Sequence, residues 1–177
     1  MRDSDGTIAN PAPRLQGLHP RVAADTRLLL LGSFPGVASL AAQQYYGHPR
    51  NQFWRLLGEA LNLPLAASDY ERRMALLAEA GVGLWDVITE THREGSLDSE
   101  IREPLGSDLI GLTAGLPTLH TIAFNGGTAA RIGLRQLGVA SLRYRIVLLP
   151  SSSPAYTRPY ADKLIAWRQL NRSHEKD

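Results

Sequence analysis

The stretch Leu28-Leu29-Leu30-Leu31-Gly32-Ser33-Phe34-Pro35-Gly36 decides the fold expected for this chain of 177 residues. Four consecutive leucines without polar alternation are typical of a strand that is buried on both faces, as in a parallel sheet covered by helices. The glycine and proline residues that follow predict a tight loop where this strand ends. The stretch therefore predicts an α/β protein with a loop at the carboxyl end of a central strand.

Short apolar runs alternate with helical patterns along the rest of the chain, the order expected when crossover helices join parallel strands. The prediction is a three-layer α/β/α sandwich around a central, mainly parallel four-stranded sheet. The final helix is expected to start at Pro159 and to pack Tyr160, Leu164, Ile165 and Trp167 against the sheet. Ser68 and Glu71 predict a capping box, and Gly81 predicts a helix end. Strands are expected near residues 27–31, 83–88, 119–124 and 145–149, and further helices near 51–61, 68–80, 107–114 and 128–137.

The amino-acid composition excludes several kinds of functional site. The chain has no cysteine, which excludes disulfides, thiolate nucleophiles and cysteine-ligated metal clusters. A net charge of +2 is too small to indicate a nucleic-acid partner by itself, so any surface that binds nucleic acid must be a local one. No apolar stretch suits a signal peptide or a membrane span, which predicts a cytoplasmic protein without membrane contact. Residues 1–25 are expected to be a flexible segment, and residues 26–177 a single domain.

Three loops are expected to meet at one edge of the sheet, because the carboxyl ends of parallel strands lie together and ligands bind there. These loops are Gly32-Gly36, Asn125-Gly127 and Pro150-Pro154. Each also has an ordinary interpretation as a turn. A fourth segment, Tyr45-Tyr46-Gly47-His48-Pro49-Arg50-Asn51-Gln52-Phe53-Trp54, combines aromatic rings with an amide and suits the stacking and hydrogen bonding of a nucleobase.

Taken together, the loop Gly-Ser-Phe-Pro-Gly, the aromatic segment and the loop Leu149-Pro150-Ser151-Ser152-Ser153-Pro154 resemble the uracil-DNA glycosylase superfamily, in particular its hypoxanthine-DNA glycosylase branch. The likeness extends over residues 27–167. It implies excision of deaminated bases, hypoxanthine and also uracil, from damaged DNA by a monomer that needs neither a metal nor an organic cofactor. Gly95-Ser96-Leu97-Asp98-Ser99 is also similar to this branch.

The resemblance implies catalytic residues but also shows a departure. Most of the superfamily has a water-activating Asp or Asn where this chain has Phe34, and an apolar ring cannot orient water. In the hypoxanthine branch the catalytic role passes to the residue matching Asn51, and Ser33 is the next candidate. Asn51 alternatively suits a helix cap. An amide positions water and stabilises developing charge but does not act as a general base.

The remaining site residues divide into two groups. Tyr46 is expected to stack on the flipped base and Asn125 to read its edge, whereas Tyr45, Phe53 and Trp54 are expected in the core. His48 is expected to fix its loop or contact phosphate. The base-binding group is Gly32, Phe34, Pro35, Gly36, Tyr46 and Asn125. The DNA-binding group is His48, Arg50, Ser151, Ser152, Ser153, Pro154, Ala155, Tyr156 and Arg158, with Ala155 or Tyr156 filling the vacated stack.

Several alternatives remain open. Ser151 stands where the superfamily commonly has His or Asn, which predicts weaker stabilisation of a leaving oxyanion. Asp86 and Asp98 are interpreted as structural caps or loop anchors. Competing functions are a mismatch-specific uracil or thymine glycosylase and a catalytically silent nucleic-acid-binding module. A serine hydrolase is disfavoured because the chain has no Gly-x-Ser-x-Gly elbow, and a Schiff-base lyase because no lysine accompanies the motifs.

Overall fold

A computed structural model describes residues 13–173 of the chain. Its main sheet has four parallel strands in the order β3-β2-β6-β7, so the leucine strand lies inside the sheet as predicted. A second, antiparallel sheet has the order β1-β4-β5. The strands are β1 Leu15–Gln16, β2 Leu28–Gly32, β3 Val82–Asp86, β4 Ile88–His92, β5 Arg102–Gly106, β6 Thr121–Asn125 and β7 Arg145–Leu149. The helices are α1 Val37–Ala42, α2 Phe53–Leu61, α3 Tyr70–Glu79, α4 Leu109–Ala114, α5 Gly127–Leu137 and α6 Tyr160–Trp167.

Strand β2 explains the layered architecture. All four of its leucines are fully buried, and alternate ones point to opposite faces of the sheet. Leu28 and Leu30 pack in the cluster formed with α2, α3 and α6, whereas Leu29 and Leu31 pack with α4 and α5. The α/β/α sandwich predicted from the sequence is therefore confirmed.

Several local predictions were wrong. Asp69, not Ser68, caps α3, since its carboxylate accepts a hydrogen bond from Arg72 N at 2.8 Å while the Ser68 hydroxyl donates to the Pro64 carbonyl. Ile165 is 69% exposed on α6 and does not face the sheet. Gly81 does follow the end of α3, with a positive φ of 70° that glycine adopts without cost.

The expected strand over residues 83–88 is two strands. The chain leaves the main sheet after Asp86 and enters the second sheet at Ile88, with Val87 N donating to the Gly32 carbonyl at the crossing. Of the segment expected to be flexible, residues 1–12 lie outside the described residues. From Leu15 onward the chain pairs with β4, and Arg21 bridges Leu84, so the folded part begins before the expected boundary at residue 26.

The main sheet sets the position of the functional loops. Strands β2, β6 and β7 run parallel, so the loops that follow them emerge at one edge, as predicted. Strand β3 ends at the same edge and brings Asp86 beside Gly32 in the pairing register. No helix among residues 13–173 has the length and apolar character needed to cross a membrane.

Candidate active site

An open cavity of about 740 Å³ lies at the carboxyl edge of the main sheet. Every site residue predicted from the sequence lines it except Arg158, which lies on a separate surface groove beside α6. The cavity has further walls that were not included in the predicted site: Ala38, Ser39, Tyr45, Asp86, Ser96, Leu97, Asp98, Ser99, Gly126, Gly127 and Thr128. The predicted loops therefore form one site.

The loop after β2 is held by polar contacts on both sides. The Ser33 hydroxyl donates to Asp98 Oδ1 at 2.6 Å, so this hydroxyl is already engaged and Asp98 anchors the loop as expected. A side chain at Gly32 has no room: a Cβ there meets Asp86 Oδ1 at 2.6 Å and Tyr46 Oη at 2.9 Å. Two polar oxygens consequently approach each other over a bare backbone at the cavity floor.

Phe34 takes part in the core as well as in the cavity wall. The residue is 6% exposed and packs in the cluster on the α4 and α5 side of the sheet. The Arg93 guanidinium lies 5.1 Å from the ring centroid and donates to the Pro35 and Gly95 carbonyls, which ties the loop down. Packing, not chemistry, is what this side chain supplies, so the polar work of the site must come from other residues.

Tyr46 is fixed in an unusual backbone conformation. Its φ is 53°, which is rare for a bulky residue and persists only where neighbours hold it. Its ring stacks on Phe53 with centroids 3.6 Å apart and planes 9° from parallel, and Trp54 Nε1 donates to its carbonyl at 3.2 Å. The ring is only half-buried and lines the cavity. Tyr45, Phe53 and Trp54 are buried, as predicted.

Asn51 precedes Gln52, the N-cap residue of α2, and both bonds the helix start and lines the cavity. Its Oδ1 accepts a hydrogen bond from Phe53 N at 2.9 Å, which serves the first turn of α2. Within the described chain its Nδ2 has no hydrogen-bond partner, while the residue lines the cavity. The two interpretations of Asn51 left open by the sequence are compatible, since the oxygen holds the helix and the N–H groups remain for a ligand.

His48 fixes its own loop. Its Nδ1 accepts a hydrogen bond from Arg50 N at 3.1 Å, and the carbonyl of His48 accepts from Asn51 N. When neutral, an imidazole with an accepting Nδ1 carries its proton on Nε2. His48 therefore presents a donor, and Arg50 is exposed beside it at the cavity edge.

Asn125 holds the serine loop in place. Ser152 N donates to its Oδ1 at 2.9 Å, and its Nδ2 donates to Ser152 Oγ at 2.9 Å. Because a backbone N–H only donates, this pair fixes which end of the amide is oxygen. The amide is not free to flip, and its Nδ2 also interacts with the Tyr46 hydroxyl at the cavity. Ser152 is 1% exposed with its hydroxyl bonded to Asn125, so the DNA contact expected from this side chain is corrected to a structural role.

Lys163 is a site residue that sequence reasoning missed. It is 1% exposed on α6, and its Nζ donates to Gln52 Oε1 at 3.0 Å and to the Ser153 carbonyl at 3.4 Å. Gln52 N also donates to the Ser152 carbonyl. Burial lowers the pKa of Lys163. Lys163 Nζ therefore joins the start of α2 to the serine loop and lies 5.4 Å from the ring centroid of Tyr156.

Asp86, which the sequence indicates only as a structural cap or loop anchor, is the most unusual group of the cavity. It is 4% exposed, and its Oδ2 is buried without a hydrogen-bond partner among residues 13–173. Burial, helped by the negative charge of Asp98 and opposed by Arg93, raises the pKa of Asp86 to about 7. The only sequence signal was its place at the carboxyl end of an apolar strand. The interpretation of Asp86 as a structural cap does not account for an unpartnered oxygen.

The fold and cavity define a class of protein: an α/β/α sandwich with an open cavity between loops at the carboxyl edge of its sheet, the place where such folds bind ligands. The chain belongs to the uracil DNA glycosylase superfamily, whose family model matches residues 19–172. The resemblance stated from the motifs is thereby confirmed.

Two relatives and one solved structure refine the comparison. A protein of Methanosarcina acetivorans named hypoxanthine DNA glycosylase is 39% identical over 150 residues, which is 84% of this chain and 92% of the relative. One of the same name from Methanosarcina barkeri is 35% identical over 156 residues, 87% of this chain and 96% of the relative. The solution NMR structure of a candidate uracil DNA glycosylase from M. acetivorans matches with a TM-score of 0.79 and 37% identity, over 93% of this chain and all of that one.

Proposed function

We propose that this chain is a monofunctional DNA glycosylase that hydrolyses the N-glycosidic bond of deoxyinosine, and that of deoxyuridine more slowly. The observation that carries the proposal is that the loops with the family's motifs line one cavity. The two relatives named hypoxanthine DNA glycosylase match most of the chain that forms this cavity. A base in duplex DNA must leave the stack to reach such a cavity. The substrate is therefore damaged DNA with an extruded nucleotide.

Tyr46 and Asn125 bind the extruded base in this proposal. The Tyr46 ring, stiffened by its stack on Phe53, offers a platform for a base, and stacking of this kind contributes about 1–3 kcal/mol without regard to sequence. The N–H of Asn125 that interacts with the Tyr46 hydroxyl suits the carbonyl oxygen that hypoxanthine and uracil both present, and a bound base would take over this contact. Because the amide cannot flip, adenine, which presents an amino group there, meets an unfavourable donor.

Asn51 carries the catalytic role for the sugar. Its N–H groups are placed to orient a water and to stabilise charge as the C1′ centre becomes oxocarbenium-like, while its oxygen stays on the helix. A preorganised donor of this type is worth about 3–4 kcal/mol. Ser33 is the weaker candidate because its hydroxyl already donates to Asp98.

The serine loop and its surroundings bind the DNA backbone. Ser151 and Ser153 are half-exposed at the cavity, and Tyr156 and Ala155 are exposed beside them, where they suit the space left by the extruded base. The Nε2 donor of His48 and the charge of Arg50 supply further phosphate contacts. We expect the protein to act as a monomer, in the cytoplasm, where its DNA substrate would be.

The proposal is tested with three duplexes that differ in one base: deoxyinosine, deoxyuridine, or thymine opposite guanine. Abasic sites are counted after brief alkali treatment under single-turnover conditions. We expect the fastest excision from deoxyinosine, slower excision from deoxyuridine and none from the G·T pair. Preference for the G·T or deoxyuridine duplex would favour a mismatch-specific glycosylase instead, and binding of all three without abasic sites would favour a silent binding module.

A further inference from the structure

Asp86 occupies a position that packing alone does not explain. It pairs with Gly32 in the sheet register and reaches the cavity through the gap that the missing side chain of Gly32 leaves. Its Oδ1 lies where that side chain would be, and its buried Oδ2 has no partner in the described part of the chain. Buried polar groups in proteins are nearly always satisfied, and an ionised carboxylate with a buried, unpartnered oxygen would be costly, so the geometry favours a protonated Asp86 at the cavity wall.

The surroundings of Asp86 favour its neutral form. Its facing charged and titratable groups are Asp98, Arg93, Tyr45 and Tyr46. Arg93 is the only cation among them, and it donates to the Pro35 and Gly95 carbonyls instead of forming an ion pair with Asp86. Burial raises the pKa of Asp86 to about 7, so acid and carboxylate are both accessible near neutral pH.

On the basis of the proposed function, we propose that Asp86 enters the reaction as a neutral carboxylic acid and gives its proton to the departing purine. The C1′–N9 bond breaks and its electron pair passes to the base, while the Asp86 proton moves to a ring nitrogen of hypoxanthine. The oxygen of a water molecule bonds to C1′ and loses one proton. That proton is taken up through solvent by the Asp86 carboxylate, so the acid is restored and the products are neutral hypoxanthine and an abasic sugar.

This acid supplies what Phe34 and Ser151 do not. Neither side chain offers a strong donor to the leaving base, and a purine is a poor leaving group as an anion. General acid catalysis contributes about 10²–10⁴-fold when its pKa lies near the working pH. Asp98 is less suited to this role because it is more exposed and accepts the Ser33 hydroxyl. Asp86 has a free oxygen and no competing partner.

The experiment measures single-turnover release of hypoxanthine from a deoxyinosine duplex between pH 5.5 and 9. For the wild-type protein we expect the rate to fall tenfold per pH unit above about pH 7, as Asp86 ionises. Asp86→Asn keeps the shape of the side chain but cannot transfer a proton, so its rate is expected to drop 10²–10³-fold at pH 6 and to lose the alkaline decline. Glu79→Gln, on the exposed end of α3, is the matched control and should keep the wild-type rate and profile.

A second variant keeps the test decisive if Asp86→Asn fails to fold. Asp98→Asn retains an acceptor for Ser33 but removes the negative charge that raises the pKa of Asp86, so the alkaline decline should move to lower pH. An unmoved decline, a wild-type rate without one, or a folded Asp86→Asn protein with wild-type rates would overturn the role of Asp86. If the wild-type protein releases no hypoxanthine at any pH, the proposed function fails and the inference with it.

Discussion

At the residue scale, different atoms of a single side chain hold the structure and line the cavity. The oxygen of Asn51 bonds the first turn of α2 while its N–H groups stay unpartnered at the cavity within residues 13–173, and the Asn125 amide bonds Ser152 through both ends and also contacts the Tyr46 hydroxyl. Phe34 is buried in the core. The polar functions of the site must therefore be distributed over neighbouring residues.

Replacing Asn51 by Ala tests its catalytic role. We expect excision of hypoxanthine to slow about 10²–10³-fold, because one preorganised transition-state contact is lost. Loss of the hydrogen bond to Phe53 N should also destabilise the start of α2. Asn51→Asp keeps the oxygen that accepts this bond and removes the N–H donors, so it should restore stability. Because a carboxylate can itself activate water, the rate of Asn51→Asp does not decide the role, and near-normal turnover in folded Asn51→Ala is the result that would move the catalytic role to Ser33.

Replacing Tyr46 by Ala tests the stacking platform. Capture of deoxyinosine and deoxyuridine should weaken by a similar factor, on the order of ten to a hundred, because stacking carries little base information. Tyr46→Phe is the control and should retain most of the affinity. A loss on one base alone, measured as the ratio of dissociation constants, would instead indicate that the Tyr46 hydroxyl reads an edge of the base.

The sequence predicted which residues form the site better than it predicted the role of each residue. Loops after buried strands are recognisable, so Gly32, Asn125 and the serine loop could be assigned to one edge of the sheet from the sequence alone. The sequence points to Asp86 only as a structural cap or loop anchor, because an Asp that ends a strand resembles any turn residue until its neighbours are known. Lys163 was missed because one lysine on an amphipathic helix is expected at the surface.

At the element scale, the main sheet was predictable and the second sheet was not. Strands β2 and β6 are apolar and almost wholly buried, and β7 carries the apolar run 146–149, which makes all three strands detectable in the sequence. Strand β1 has two residues and β5 is exposed throughout with an Arg-Glu-Pro sequence, so neither carries an alternating pattern. Helix α1 is a single short piece with an exposed valine, below the length at which periodicity can be detected.

The contact between α6, α2 and the serine loop predicts the effect of Lys163→Met. The change preserves the apolar stem of the side chain but leaves Gln52 Oε1 and the Ser153 carbonyl without their donor. Because these hydrogen bonds position the serine loop, we expect the affinity for an abasic-analogue duplex to fall about tenfold. The single-turnover rate at saturating protein should stay within threefold of wild type. Arg72→Met on the surface of α3 is the control. A large loss of rate with unchanged affinity would contradict a positioning role.

At the scale of the whole molecule, the buried acid links stability to pH. The unfolded-state pKa of Asp86 is its ordinary 3.8 and the folded-state pKa is about 7, so the folded protein holds this proton longer. The contribution is fully present below pH 3.8, is lost as pH rises toward 7, and costs about 1.4 kcal/mol per pH unit across that window. The free energy of unfolding of Asp86→Asn minus that of the wild-type protein should therefore rise between pH 4 and 7 and then level off. Denaturant titrations at pH 5, 6 and 8 measure it, and a difference independent of pH would show that Asp86 is not a buried acid.

The most direct test of the account is to identify the released base itself. A deoxyinosine duplex is incubated with the wild-type protein and with Asn51→Ala, and free hypoxanthine is quantified by chromatography alongside abasic sites and strand breaks. We expect equal amounts of hypoxanthine and abasic sites, and an intact strand until alkali is added. Asn51→Ala should release hypoxanthine at least a hundredfold more slowly than the wild-type protein. Strand cleavage without alkali would contradict a monofunctional reaction, and no hypoxanthine above the protein-free level would contradict the proposed function as a whole.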